Sequence, residues 1–126
     1  MNIFITGSKG FIGSHLKEYI SVHYSHLKLF TPTSIELDLS NEKKLDNYIL
    51  SNKIDIIIHL ANRGGSRDTI NMTNVIEYNL RIFFNIAKHE ANVQKIISFG
   101  SGAEYAKHKP IVNAKEIGRA SCRERV

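Results

Sequence analysis

The sequence predicts an α/β domain with a doubly wound parallel sheet, and three stretches carry that prediction. Asn2-Ile3-Phe4-Ile5-Thr6 is apolar, β-branched and aromatic; it breaks into Gly7-Ser8-Lys9-Gly10-Phe11-Ile12-Gly13 and passes into a helical period at His15-Leu16-Lys17-Glu18-Tyr19-Ile20. That is strand, glycine turn, helix. Ile54-Asp55-Ile56-Ile57-Ile58-His59-Leu60-Ala61 is a near-continuous apolar run, the mark of a parallel strand covered on both faces. From about Met72 to His89 an amphipathic pattern, with Val75, Tyr78, Ile82 and Ile86 on one face, predicts a long helix ahead of a last strand, Lys95-Ile96-Ile97-Ser98-Phe99.

Between these landmarks the first helix should end near Val22 to Tyr24. Leu27-Lys28-Leu29-Phe30 reads as a short second strand, and Thr31-Pro32-Thr33-Ser34 as the loop leaving it. Ile35-Glu36-Leu37-Asp38-Leu39-Ser40 alternates apolar and polar, and Ser40 or Asn41 caps a helix running through Leu50. Four strands joined by right-handed crossovers give the order third, second, first, fourth (3-2-1-4). The crevice then lies between first and fourth, where the order reverses.

Composition bounds the class. The chain has 126 residues, 42% apolar and 23% charged, enough for one domain with a real core. No apolar run approaches the ~20 residues of a spanning helix and no signal sequence precedes the first strand, so no membrane partner and a cytoplasmic location are expected. The formal charge is +5, but Lys and Arg are scattered rather than gathered into a stripe, which speaks against nucleic acid and for mild attraction of anionic ligands.

The last stretch, Ile117-Gly118-Arg119-Ala120-Ser121-Cys122-Arg123-Glu124-Arg125-Val126, has no apolar period and resembles the in-frame translation of a sequencing adapter. The expected organisation is therefore a partial domain over 1–115 and a non-native tail over 116–126. Removing that tail takes away three Arg and two Glu and lowers the charge from +5 to +4. It also removes Cys122, the only cysteine, leaving no disulfide and no cysteine-based metal site; no metal is expected.

The glycine turn is the first candidate site. Gly7 can take the backbone conformation of a tight turn, Gly10 lets the chain approach a phosphate, and Gly13 lets the helix sit close on the strand. The following helix points free N–H groups and the positive end of its dipole at the turn, where a pyrophosphate is the natural occupant. Thr6, Gly7, Lys9, Gly10, Phe11, Ile12 and Gly13 form the candidate set, although a glycine-rich corner that binds nothing gives the same pattern. An Asp or Glu starting the 31–34 loop would hydrogen-bond a ribose 2′-hydroxyl and repel a 2′-phosphate. None stands there: Thr31, Thr33 and Ser34 offer neutral donors and Lys9 a cation. NADP or NAD is the expected cofactor, with a lean to NADP, while turn formers and a solvated Lys account for the same residues.

Thr6-Gly7-x-x-Gly10-x-x-Gly13 close to the N-terminus resembles the extended short-chain dehydrogenase/reductases, the NAD-dependent epimerase/dehydratase family. The resemblance implies a Rossmann fold, here truncated, and places Asp38 and Leu39 against the adenine, with Asp38 accepting from its amino group. His59-Leu60-Ala61-Asn62 is similar to the family's His-x-Ala-Ala segment, in which small residues lie along the cofactor; Asn62 departs from the second Ala. His59 itself reads as a buried strand-end His with a backbone partner rather than a ligand. Gly64-Gly65 resembles the GDP-fucose synthase and dTDP-4-dehydrorhamnose reductase branch, and Arg63 and Arg67 either clamp a substrate diphosphate or sit in solvent. Asn79 stands where the family keeps an Asn that supports the active-site strand and the nicotinamide end. An Asn in mid-helix gains nothing from propensity, which agrees with a buried hydrogen-bonding role.

The resemblance is densest at Gly100-Ser101-Gly102-Ala103-Glu104-Tyr105, where Ser101 matches the family's hydroxyl that hydrogen-bonds the reacting sugar oxygen. The family's Tyr-x-x-x-Lys pair, an acid/base Tyr whose pKa the Lys lowers, has no acceptable match. Tyr105 and Lys109 have the spacing, but Tyr105 is too close to Ser101 and Pro110 argues for a loop. The resemblance thus implies the cofactor-binding part of an NAD(P)-dependent sugar-nucleotide epimerase, dehydratase or reductase, inactive as this piece. A nucleotide sugar is the implied partner and a homodimer the implied state of the whole enzyme. A non-catalytic NADP-sensing protein and a nucleic-acid-binding relative are the alternatives.

Overall fold

The computed structural model describes residues 1–64 and 74–100. Its elements are β1 (Asn2–Thr6), α1 (Phe11–His23), β2 (Lys28–Phe30), α2 (Glu42–Ser51), β3 (Ile56–His59), α3 (Val75–Ala87), a 3₁₀ turn (Lys88–Ala91) and β4 (Lys95–Ser98). All strand pairs are parallel, with Ile3 beside Leu29 and Ile56, and Ile57 beside Ile96. Parallel strands expose all their carboxyl ends on one edge, and the site lies there.

The alternation of β1 divides the core. Ile3 and Ile5 turn to one face with Ile20 of α1 and Ile58. Phe4 turns to the other with Leu45 and Ile49 of α2, Ile57 and Ile86 of α3. Helices therefore cover both faces of the sheet, which is the doubly wound, Rossmann-type arrangement read from the sequence. Phe4 and Ile5 are fully buried, so β1 is a central strand. Asn41 rather than Ser40 caps α2, its Oδ1 accepting from the Lys44 amide at 3.1 Å.

The strand order corrects the sequence reading. It is β2-β1-β3-β4, not 3-2-1-4, and the crevice lies between β1 and β3 rather than between first and fourth. The expected order needs the third strand outside β2, but Ile57, Ile58 and His59 are all buried. A strand buried along its length is best satisfied by neighbours on both edges, and β3 takes β1 on one side and β4 on the other. The alternating stretch 35–40 adds no strand beside β2: Leu37 turns into the core, while Asp38 to Ser40 form a turn. Among the described residues the sheet runs from β2 at one edge to β4 at the other.

Candidate functional site

A cleft of about 420 Å³ opens at the carboxyl ends of β1 and β3. Its floor is Phe4, Thr6 and Ile82; one wall is Gly7 to Gly10, the opposite wall is Leu60 to Arg63, and the far end is closed by Pro32, Thr33, Ser34, Leu37 and Leu39.

The glycine wall has a steric origin. Gly7 has φ +68°, a conformation that side chains with a Cβ adopt at a cost. A Cβ there would also stand 2.7 Å from the Ala61 nitrogen, so glycine is what lets the turn meet the end of β3. The Gly10 amide donates to the Gly7 carbonyl at 3.0 Å and closes the turn. Gly13 is buried against it, and a Cβ there would meet the Gly7 carbonyl and lie 2.8 Å from Ser8 Cα. Helix α1 then begins after Gly10, its N-cap residue, with no side-chain cap and no acidic residue in its first turn. The hydroxyl of Ser14 and the ring of His15 both turn to the Phe11 carbonyl. An uncapped start of a 13-residue helix presents free N–H groups and about half a positive charge.

Thr6 holds the two walls together. Its Oγ1 accepts from the amides of Leu60 and Ala61, each at 3.1 Å, and lies 2.8 Å from His59 Nδ1. Two donors occupy the oxygen's lone pairs, so the hydroxyl proton goes to Nδ1, and His59 is the Nε2–H tautomer by count of donors. Burial pushes the His59 pKa down, which keeps the ring neutral. His59 is thus a structural strand-end residue, as expected, although its ring partner is the Thr6 hydroxyl rather than backbone.

At the far end, Glu36 folds back so that its carboxylate accepts from the Thr33 amide at 2.7 Å. That bond, the Thr33 hydroxyl and the Lys9 charge lower its pKa. An acidic group therefore does sit beside the 31–34 loop, supplied two residues after it rather than from its start. The Asp38 carboxylate accepts from the Ser40 amide at 2.9 Å and the Ser40 hydroxyl at 2.7 Å. These bonds, and more weakly the charges of Arg63 and Lys44, pull its pKa down.

Arg63 is gripped by adjacent residues of α3. Asn79 accepts from the Arg63 amide through Oδ1 and donates to its carbonyl through Nδ2, both at 2.9 Å. The Arg63 guanidinium lies 3.7 Å from the centre of the Tyr78 ring.

Of the residues singled out in the sequence, Thr6, Gly7, Lys9, Gly10, Leu39, Leu60, Ala61 and Asn62 meet around the cleft. Gly13 supports its wall from behind. Asp38 and Asn79 do not line it; their side chains are engaged by Ser40 and Arg63. Phe11 and Ile12 face outward, 82% and 51% exposed, and the Phe11 ring packs on His15. Ser101, Arg67, Tyr105 and Lys109 lie outside the described residues, and so does the role that the resemblance implies for Ser101. Sequence reasoning missed Ser8, Leu37 and Tyr78 as cleft residues. Periodicity places Tyr78 on the apolar face of α3, but not at the sheet edge where that face meets the cleft.

Among the described residues the cleft is lined by two cations, Lys9 and Arg63, and by no carboxylate. With the bare helix start this donor set fits the diphosphate of NAD(P). No group of three or more His, Cys, Asp or Glu able to hold a metal occurs among the described residues, and no described helix is long and apolar enough to cross a membrane.

Comparison with known proteins agrees with this geometry. The model of the NAD dependent epimerase/dehydratase family matches residues 3–124. The chain is 29% identical over 112 residues to the GDP-L-colitose synthase of Yersinia pseudotuberculosis, covering 85% of this chain and 35% of that one. Among solved structures, GDP-mannoheptose C4 reductase from Campylobacter jejuni with NADP bound superposes with a TM-score of 0.74 at 30% identity, over 91% of this chain and 36% of that one. A GDP-L-fucose synthetase from Naegleria fowleri shares the fold, with a TM-score of 0.74 at 20% identity over 90% of this chain and 34% of its own. The chain thus spans about a third of the length of these relatives.

Proposed function

This chain belongs to the NAD dependent epimerase/dehydratase family, and from that premise we propose that it is the cofactor-binding part of an NAD(P)-dependent enzyme that acts on a nucleotide sugar. The observation that carries the reading is the uncapped start of α1, which opens onto a cleft with two cations and no carboxylate among its described lining. A pyrophosphate there would take the amides of the Gly7 to Gly13 turn. Thr33, Ser34 and Lys9 would meet the adenosine ribose, and the Leu60-Ala61-Asn62 backbone would run along the cofactor.

The chain's own residues do positional work in this reading. Thr6 fixes the height of the Leu60 and Ala61 amides, Gly7 and Gly13 set the approach of the turn, and Asn79 fixes the exit of β3. The nicotinamide group supplies hydride exchange when bound. The Ser101 hydroxyl would hydrogen-bond the reacting sugar oxygen. A 4-keto reduction, an epimerisation and a dehydration share these parts. A GDP-linked 4-keto sugar is the first substrate to assay, because the relatives at 29% and 30% identity carry GDP-sugar names. The lean to NADP, the homodimeric whole enzyme and the division at residue 115 belong to the same proposal.

The test is turnover. The 126-residue chain should oxidise no NADPH with any nucleotide 4-keto sugar, and the gene read past codon 115 should encode Tyr-x-x-x-Lys and yield an active enzyme. Activity from the short chain, or a longer gene product without that pair, contradicts the proposal.

A further inference from the structure

We propose that Arg63 is a phosphate-binding arm of the cleft, and that Tyr78 and Asn79 are the residues that position it. This rests on the reading of the cleft as a nucleotide site and adds a contact that the glycine motif does not contain. Three observations converge on Arg63. It lines the cleft together with Lys9, Gly10, Thr33 and Ser34. Its backbone is held at both amide and carbonyl by one side chain, Asn79, at 2.9 Å each. Its guanidinium carbon stands over the Tyr78 ring, 3.7 Å from the ring centre, which is stacking distance.

A loop residue has no need of so much fixing for packing alone, since Arg63 is exposed. Stacking occupies the flat face of the guanidinium and leaves its plane, where the N–H groups lie, for oxygen acceptors. A fork held in this way loses little freedom on binding and takes two oxygens of one phosphate at once. Tyr78 and Asn79 are consecutive on α3, so one turn of helix sets both the backbone and the side chain of the arm. The charge also reaches the adenosine end, because Arg63 contributes to the lowering of the Asp38 pKa.

Two phosphates of a dinucleotide answer this description, the 2′-phosphate and the pyrophosphate, and two fragments separate them. Calorimetric titration of the 126-residue chain with 2′,5′-ADP, which has the 2′-phosphate and no pyrophosphate, and with ADP, which has the reverse, should show binding of at least one. Arg63→Ala should raise the Kd of that fragment about 10- to 100-fold, the range for a charge-assisted contact. A selective loss for 2′,5′-ADP assigns the 2′-phosphate, and a selective loss for ADP assigns the pyrophosphate. Arg63→Lys should recover part of the affinity and Tyr78→Phe nearly all of it, whereas Tyr78→Ala should weaken the same fragment. Unchanged Kd values for both fragments in a folded Arg63→Ala variant overturn the proposal while leaving the nucleotide site intact. Failure of the unmodified chain to bind either fragment overturns the underlying site as well.

Discussion

Thr6 Oγ1 and His59 Nδ1 lie 2.8 Å apart across the crevice between β1 and β3, on residues paired in register. The same oxygen accepts two further amides, so one hydroxyl closes the seam on which the cleft is built.

Thr6→Val keeps the shape and removes that oxygen. It leaves the part-buried amides of Leu60 and Ala61 and the buried His59 acceptor without a partner, and should cost about 1–3 kcal/mol. Thr6→Ser should retain most of the stability. Urea denaturation midpoints of the three proteins check this; equal midpoints for Val and Thr would remove Thr6 from its place in the account.

His59 gives a pH dependence of known sign. Its pKa in the fold lies below the ordinary 6.5 because burial penalises the charged ring, so below pH 6.5 the unfolded chain binds the proton first. Stability from this residue is full above 6.5 and declines as pH falls through the window beneath it. The carboxylates of Asp38 and Asp46 start from 3.8 and that of Glu36 from 4.5, and all are shifted lower, so their losses come at more acid pH. His59→Gln should flatten the fall in unfolding free energy as pH drops below the ordinary histidine value of 6.5; an unchanged slope contradicts a neutral, buried ring.

The glycines should differ in severity. Gly13→Ala places a methyl on the Gly7 carbonyl and 2.8 Å from Ser8 Cα, which backbone cannot easily yield to, and should cost about 1–3 kcal/mol. Gly10→Ala meets only the Gly7 carbonyl, at 3.3 Å, and should fold well yet weaken nucleotide binding by filling space a phosphate needs. Thermal midpoints and NADPH affinities of the two variants separate the effects.

Between α2 and the 3₁₀ turn that follows α3, Lys88 bridges Glu42 and Asp46 at 2.7 Å each, and Asp46 also takes His89 Nε2 at 2.9 Å. Lys88→Met should cost little, since both pairs are open to solvent. Asp46→Ala should cost more, about 1–3 kcal/mol, because His89 is only 3% exposed and its Nε2 loses its partner. Chemical denaturation in low and high salt distinguishes them: the Lys88 effect should shrink with salt, and the Asp46 effect only in the part that comes from its pair with Lys88.

Much of this was legible in the chain because local chemistry repeats the global arrangement. The glycine spacing gave the turn, the apolar run around Ile57 gave a covered strand, and the face through Ile82 and Ile86 gave α3. Strand order was not legible, because which side of β1 receives β3 depends on whether residues 35–40 add a strand beside β2, and an alternating pattern there satisfied a turn equally well. The partners of Asp38 and Asn79 were hidden for a related reason. Short polar side chains bond to whichever backbone group the fold brings near, and the nearness of Arg63 to Tyr78 and Asn79 spans a loop.

The central claim is that a dinucleotide phosphate rests on the bare start of α1. Titration of isotopically labelled 126-residue chain with NADPH, followed by amide resonances, tests it most directly. Saturable shifts should concentrate at Gly7, Ser8, Gly10, Leu60 and Ala61, with NADH producing the same pattern at equal or weaker affinity. No saturable shift, or shifts centred on β4 and the far face of the sheet, would contradict it.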